Sequence, residues 1–118
     1  APISFDAIDA DPYGDPWASL CAVAACRRSD GPLAVVWTDG AARKTRLTGW
    51  VSPAVTALTG IEPARGLGTH DAQRHIQRAA LDGLASSLAM EAGEMRFFLR
   101  SMMFYAAAII TPPRVDKS

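Results

Sequence analysis

The 118 residues of this chain are enough for one domain. Hydrophobic residues make up 49% and charged residues 20%, a composition typical of globular proteins that argues against disorder. The 12 basic and 12 acidic residues cancel, so the sequence lacks the basic excess that sequence-independent nucleic-acid binding requires. We therefore expect a compact domain whose partner is a protein, and we consider nucleic acid an unlikely partner.

The N-terminal segment, residues 1–14, is rich in Asp and Pro and is predicted to be an irregular acidic arm. A helix start follows, with Asp15 as the N-cap and Pro16 in the first helical position. The Ala-rich stretch from Trp17 to about Arg28 predicts the helix itself, and the Gly and Pro shortly after it end the helix.

Two cysteines, Cys21 and Cys26, lie in this predicted helix. Five helical residues turn a side chain by about 140° beyond a full turn, so the two thiols point apart and cannot bridge each other. Unbridged thiols are typical of a reducing compartment, and we expect a cytoplasmic protein. No signal-peptide pattern is visible, and the apolar run at 95–110 is too short for a membrane span, so no membrane association is expected.

A β-hairpin is predicted at about 33–51. Residues 33–38 read LAVVWT, which is rich in strand-forming side chains, and 44–51 provide the second strand. A five-residue loop at 39–43 is favoured over a two-residue Asp-Gly turn, because the shorter turn would set cations opposite buried apolar residues.

In that register the outer face of the hairpin carries a basic-aromatic strip of Lys44, Arg46 and Trp50. We predict that this strip binds an acidic protein surface, with single-stranded nucleic acid as a weaker option. The alternative is that Trp50 packs under a helix while the two cations extend into solvent.

Two further helices are predicted from cap signals and periodicity. Ser52 and Pro53 begin a short helix that runs to about Leu58 and is ended by Gly60. A longer helix is predicted over about 70–92, with an apolar stripe made of Ile76, Ala80, Leu84 and Leu88.

A Gly-rich loop leads directly into the start of the longer helix. Helix N-termini attract anions, so an anion or nucleotide site is the alternative functional prediction, with candidate residues Arg65, Gly66, Gly68, Thr69, His70 and Arg74. The loop lacks the Walker lysine and the full dinucleotide glycine pattern. Asp71 also places negative charge there, so an ordinary capped loop is the competing interpretation. The two Cys residues and the two His residues are each spaced near the zinc-finger range, but the gap of 43 residues between the pairs is far from that of a finger, and neither metal nor cofactor is predicted.

The run at 95–110 holds thirteen apolar or aromatic residues among its sixteen. It is compatible with helix or strand, and helix is favoured because of its three Ala residues. On a helix Phe98, Met102 and Tyr105 share one face. So much apolar surface needs a covering surface, and we predict that these three residues bind a partner.

Together these features predict an α+β fold with an N-terminal helix, the hairpin, and two longer C-terminal helices packed on the small sheet. The whole chain is predicted to be one domain, with a frayed tail at 112–118. The predicted function is a non-catalytic protein-interaction module, such as an adaptor, inhibitor or accessory protein from a bacterium or phage. Its partner is another protein or a second copy in a homodimer. The alternative is a small anion-binding or nucleotide-binding protein or enzyme that uses the loop at Gly66 and Gly68.

Overall fold

The structure, a computed structural model, describes residues 5–11, 14–29, 31–100 and 103–113. These residues form four helices and a five-stranded mixed sheet, which confirms the predicted α+β class. In chain order the elements are β1 (Ala7–Ala10), α1 (Trp17–Ala25), β2 (Leu33–Asp39), α2 (Ala42–Thr48), α3 (Pro53–Thr59), α4 (His70–Ser87), β3 (Glu91–Ala92), β4 (Arg96–Arg100) and β5 (Met103–Thr111).

The sheet is organised around β2 and β5, which are antiparallel neighbours. On its other side β2 pairs in parallel with β1, and α1 makes the crossover that a parallel pair requires. The far side of β5 pairs with both β3 and β4, each antiparallel and each covering a different stretch of the strand. As a result β5 contacts three other strands and lies in the interior of the sheet.

The sheet is buried on one face only. In β2 Leu33, Val35 and Trp37 are buried, whereas Val36 between them is 44% exposed. Burial alternates in the same way along β5, where every second residue from Phe104 is buried. All four helices contribute to the single core cluster on the buried face. This period of two is the pattern of an antiparallel sheet with one covered face.

The two helices predicted from cap signals are present. In α3 the Ser52 Oγ accepts a hydrogen bond from the Val55 amide at 3.1 Å, and Gly60 ends the helix in the left-handed conformation. In α4 Ile76, Ala80 and Leu84 are buried as predicted, although the helix ends at Ser87 and not near residue 92.

The predicted hairpin at 33–51 is wrong, because residues 42–48 form α2 and not a second strand. Both edges of β2 are already occupied, by β1 and by β5, so a hairpin partner would have no free edge to pair with. Asp39 begins the turn after β2, where its Oδ1 accepts a hydrogen bond from the Ala41 amide at 2.8 Å. Gly49, with φ of 75°, then ends α2.

The predicted helix at 95–110 is also wrong, because this run forms the antiparallel pair β4 and β5. Ala106, Ala107 and Ala108 favour a helix in isolation, yet they lie in the middle of the sheet. Pairing of β5 along both of its edges supplies backbone hydrogen bonds that outweigh this local preference.

The N-terminal segment differs from the prediction in three details. Pro16, and not Asp15, is the N-cap of the first helix, and no side-chain hydrogen bond is made at that cap. A short strand, β1, lies within the segment expected to be an irregular arm. The first helix ends at Ala25, so Arg27 lies beyond it. The Arg27 side chain is 2% exposed and donates hydrogen bonds to backbone oxygens of Phe5, Gly31 and Pro32. It thereby fixes the chain ahead of β1 to the loop ahead of β2. Within the described ranges, no helix has the length and apolarity to cross a membrane.

Candidate functional site

The face of the sheet opposite the helices is apolar, and its side chains remain half-buried or exposed in the described part of the chain. We call this surface the open face. Val36 is 44% exposed, Phe98 57% and Ile109 55%. The open face is formed by alternate residues of β2, β4 and β5: Ala34, Val36, Thr38, Phe98, Tyr105, Ala107 and Ile109.

Two of the residues predicted to bind a partner meet on the open face. Phe98 and Tyr105 are directly opposite each other in the pairing of β4 with β5. Their rings stack with centroids 4.8 Å apart and planes 13° from parallel. Cross-strand aromatic pairs of this kind hold both rings in place at the surface. The third predicted residue, Met102, lies outside the described residues.

The open face is concave along its middle. Two shallow cavities of about 440 and 390 Å³ lie side by side on it, and Val36, Arg96 and Ala107 line both. The floor is low because Ala107 has a small side chain between the larger side chains of β2 and β4. The result is a continuous apolar groove that follows the strands.

Opposite charges mark the two edges of the open face. One row across the sheet reads Asp9, Val36, Ala107 and Arg96, from β1 to β4. Asp9 is exposed, and the Arg96 side chain is 84% exposed. The Glu94 carboxylate lies 4.0 Å from the Arg96 guanidinium, and the Glu94 side chain is itself 79% exposed. The open face thus has an acidic edge at β1 and a basic edge at β4.

The structure divides the predicted basic-aromatic strip between two places. Lys44 lies on α2 with its Nζ 4.3 Å from the centre of the Trp50 ring, a cation–π contact. Arg46 instead lines a separate cleft. All three residues belong to the helical layer, so the strip does not extend the open face.

That cleft brings Arg46 together with part of the predicted anion site. It has a volume of about 450 Å³, and its lining includes Arg65, Gly66 and Gly68. Gly68 has a packing role, because a Cβ on it would lie 2.7 Å from the Arg46 carbonyl oxygen, whereas a Cβ on Gly66 would meet no atom within 4 Å. A Cβ on Gly49, at the same place, would collide with the carbonyl oxygen of Ala64. Close backbone contact therefore accounts for Gly49 and Gly68.

The other residues of the predicted anion site lie at the start of α4 and do not line the cleft. Thr69 is the N-cap, and its Oγ1 accepts a hydrogen bond from the Ala72 amide at 3.0 Å. Arg74 forms an ion pair of 3.5 Å with Asp71, and His70 is exposed. The helix start is thus capped and carries its own carboxylate, which reduces its attraction for an anion.

A buried polar network lies where β2 ends, and sequence reasoning missed it. Gln77 Oε1 accepts hydrogen bonds from the indole nitrogens of Trp17 at 3.2 Å and Trp37 at 3.0 Å. Its Nε2 donates to the Asp39 carboxylate. Burial raises the pKa of Asp39 to about 6, against the lowering effect of the Gln77 hydrogen bond, and the nearby charge of Asp15 adds to the rise. The available signal was a Gln in the apolar stripe of α4.

This network is closed and stabilises the core. In the described ranges every buried side-chain nitrogen or oxygen has a hydrogen-bond partner. The described residues also contain no group of three or more His, Cys, Asp or Glu side chains arranged to hold a metal ion. The open face is therefore the candidate site with the most accessible apolar surface.

The sequence matches no model of a known protein family, and no curated protein matches it significantly.

Proposed function

We propose that this protein is a non-catalytic protein-interaction module that binds its partner through the open face. The supporting observation is that the middle of one side of the central sheet presents mainly apolar side chains, with Val36, Phe98 and Ile109 each about half exposed. The largest contiguous apolar patch on a protein surface is often an interaction site.

The rigidity of the open face also supports this function. Its side chains project from paired strands, and the other side of the same strands packs against the core. A partner therefore meets a preformed surface and few side chains must be ordered on binding, which limits the entropic cost of association. Exposed stacked aromatics such as Phe98 and Tyr105 are common anchors in interfaces.

We also propose a cytoplasmic location, because Cys21 and Cys26 are both free thiols.

The second candidate function is anion or nucleotide binding, and the cleft shared by Arg46 and Arg65 is the observation that favours it. Arginine is a common phosphate-binding residue, and two arginines line this one cleft. It ranks second because the neighbouring Gly49 and Gly68 have a packing role and the start of α4 is already capped.

Capture of binding partners from the native cell tests the proposed function. The immobilised protein is compared with Ile109→Lys, which places a charge on the open face, and with Leu47→Lys as the matched control. Leu47 is 64% exposed on α2, so both variants replace an exposed aliphatic residue with the same charged residue on different layers. We expect a specific partner to be lost with Ile109→Lys and retained with Leu47→Lys. Identical captured proteins for all three forms would reject the open face as the binding surface.

A further inference from the structure

We propose that the partner of the open face is a second copy of this chain, packed face to face about a two-fold axis that runs parallel to the strands. This inference rests on the proposed function and names the partner of the same surface. The chain carries no net charge, so two copies approach each other with little overall repulsion.

The arrangement of charge on the open face selects this geometry. When two identical sheets stack about an axis parallel to their strands, the β4 edge of each copy lies over the β1 edge of the other. Arg96 then lies opposite the partner's Asp9, and Asp9 opposite the partner's Arg96. Both belong to one row across the sheet, so the two contacts form together. Sheets stacked about 10 Å apart are close enough for an arginine side chain to reach across at the rim.

The other face-to-face arrangement is disfavoured by the same charges. With an axis perpendicular to the strands, the β4 edges of the two copies lie over each other. Arg96 would then face the partner's Arg96, and Asp9 would face the partner's Asp9. Like charges set opposite each other across an interface cost binding free energy and exclude that arrangement.

The shape of the open face is complementary under the proposed symmetry. Val36 and Ala107 are register partners on the two central strands. The axis between these strands sets Val36 over the partner's Ala107, where the side chain is small and the groove is deepest. The same contact occurs twice, so a ridge of each copy enters the groove of the other. Isologous interfaces require this kind of self-complementarity.

The size of the surface predicts a reversible dimer. Four strands about 4.8 Å apart span about 19 Å, and the nine residues of β5 extend for about 30 Å. Because β1 and β4 are shorter, the usable face is about 500 Å² per copy, against about 800 Å² for an interface of standard size. We therefore expect dissociation in the micromolar range.

Charge reversal on the two edges tests the proposed pairing. Asp9→Arg and Arg96→Asp are each expected to weaken self-association by about tenfold, because each change turns two attractive contacts into repulsive ones. An equimolar mixture of the two single variants is expected to recover a heterodimer, since one chain then presents cations at both edges and the other presents carboxylates at both. The double variant is expected to recover the homodimer. Sedimentation equilibrium over a wide concentration range measures wild type and these four samples, with Glu62→Arg, in the exposed loop between α3 and α4, as the control.

The outcomes separate this inference from the function on which it rests. A wild-type chain that stays monomeric at high micromolar concentration overturns self-pairing, while the Ile109→Lys capture experiment still tests the open face against a different protein. Dimers that tighten when Asp9 or Arg96 is neutralised, in Asp9→Asn or Arg96→Gln, indicate the perpendicular axis and overturn the proposed geometry, because neutralisation removes a like-charge contact there but an attractive contact in the proposed dimer. Dimers that respond to neither reversal but are lost with Ile109→Lys reject the Asp9–Arg96 contact while they leave the open face as the interface.

Discussion

The Nε2 of Gln77 donates a hydrogen bond of 2.5 Å to Oδ2 of Asp39, which joins the middle of α4 to the end of β2. Gln77 is 1% exposed and Asp39 is 5% exposed. The same Gln side chain accepts hydrogen bonds from two indoles, so one residue holds a carboxylate and two tryptophans in fixed positions. This network makes the stability of the protein depend on pH and on the identity of residue 77.

The first prediction concerns pH. Because burial raises the pKa of Asp39 to about 6, the folded state binds a proton that the unfolded state releases at about its ordinary value of 3.8. The contribution of this group to stability is therefore complete below pH 4 and is lost as pH rises through 6. Urea unfolding of wild type and of Asp39→Asn, each at pH 5 and pH 7, isolates the effect. On going from pH 7 to pH 5 we expect the free energy of unfolding of wild type to rise by about 1 kcal/mol more than that of the variant. Equal pH dependence in the two proteins would contradict the assignment to Asp39.

The second prediction concerns Gln77. Gln77→Leu leaves two indole N–H groups and a carboxylate without their buried partner, so we expect the free energy of unfolding to fall by about 2–4 kcal/mol. The matched control is Gln73→Leu, one turn earlier on α4, where Gln73 is also buried but makes one hydrogen bond, to the Leu67 carbonyl oxygen. That variant is expected to lose about 1 kcal/mol. Urea unfolding followed by tryptophan fluorescence measures both variants. Equal losses of unfolding free energy would show that the Gln77 network stabilises the protein no more than the single hydrogen bond of Gln73 does.

The third prediction compares two glycines that end helices in the same conformation. Gly49 has φ of 75° and Gly60 has φ of 76°, so alanine carries a similar backbone cost at both, about 1 kcal/mol. The surroundings differ, because a Cβ at position 49 collides with the backbone of Ala64 whereas nothing lies within 4 Å of one at position 60. We expect Gly49→Ala to be at least about 1 kcal/mol less stable than Gly60→Ala in thermal or urea unfolding. Equal losses would show that the loop yields readily at that contact.

The fourth prediction concerns the second candidate function. A phosphate held between Arg46 and Arg65 would raise the melting temperature with increasing phosphate concentration, and Arg65→Ala would abolish the rise. Under the proposed function we expect phosphate to stabilise wild type and Arg65→Ala equally and no more than sulfate does, with both anions above chloride because they are excluded from protein surfaces. Differential scanning fluorimetry with these three salts decides between the two functions. A phosphate-specific shift that disappears in Arg65→Ala would identify the cleft as a binding site.

Local signals in the sequence were sufficient for some elements. The cap at Ser52 and the spacing of the apolar residues from Ile76 to Leu84 each depend on neighbouring residues, and both are present in the structure. The strand at 33–38 is also present, because its β-branched side chains suit a central strand whatever its partners are.

The errors arose where distant pairing decides the structure. Nothing within residues 42–48 indicates that both edges of β2 are occupied, which is the reason that the segment cannot pair with β2 as a strand. The alanines of β5 favour a helix until β2 and β4 pair with them. The candidate site was affected in the same way. The sequence predicts Phe98 and Tyr105 as neighbours on one face of a helix, whereas in the structure they meet as cross-strand partners. No local pattern relates Asp9 to Arg96, because they share a row only through the pairing of distant strands.

The place of β5 in the sheet has a consequence for biosynthesis. This strand binds three others, yet it begins only at Met103, after all four described helices have been translated. Until it leaves the ribosome, β2 presents a bare edge and the helices have only part of the floor on which they pack. Between the emergence of β2 and that of β5 the nascent chain thus exposes aggregation-prone surface, and this is the stage at which a chaperone would protect it.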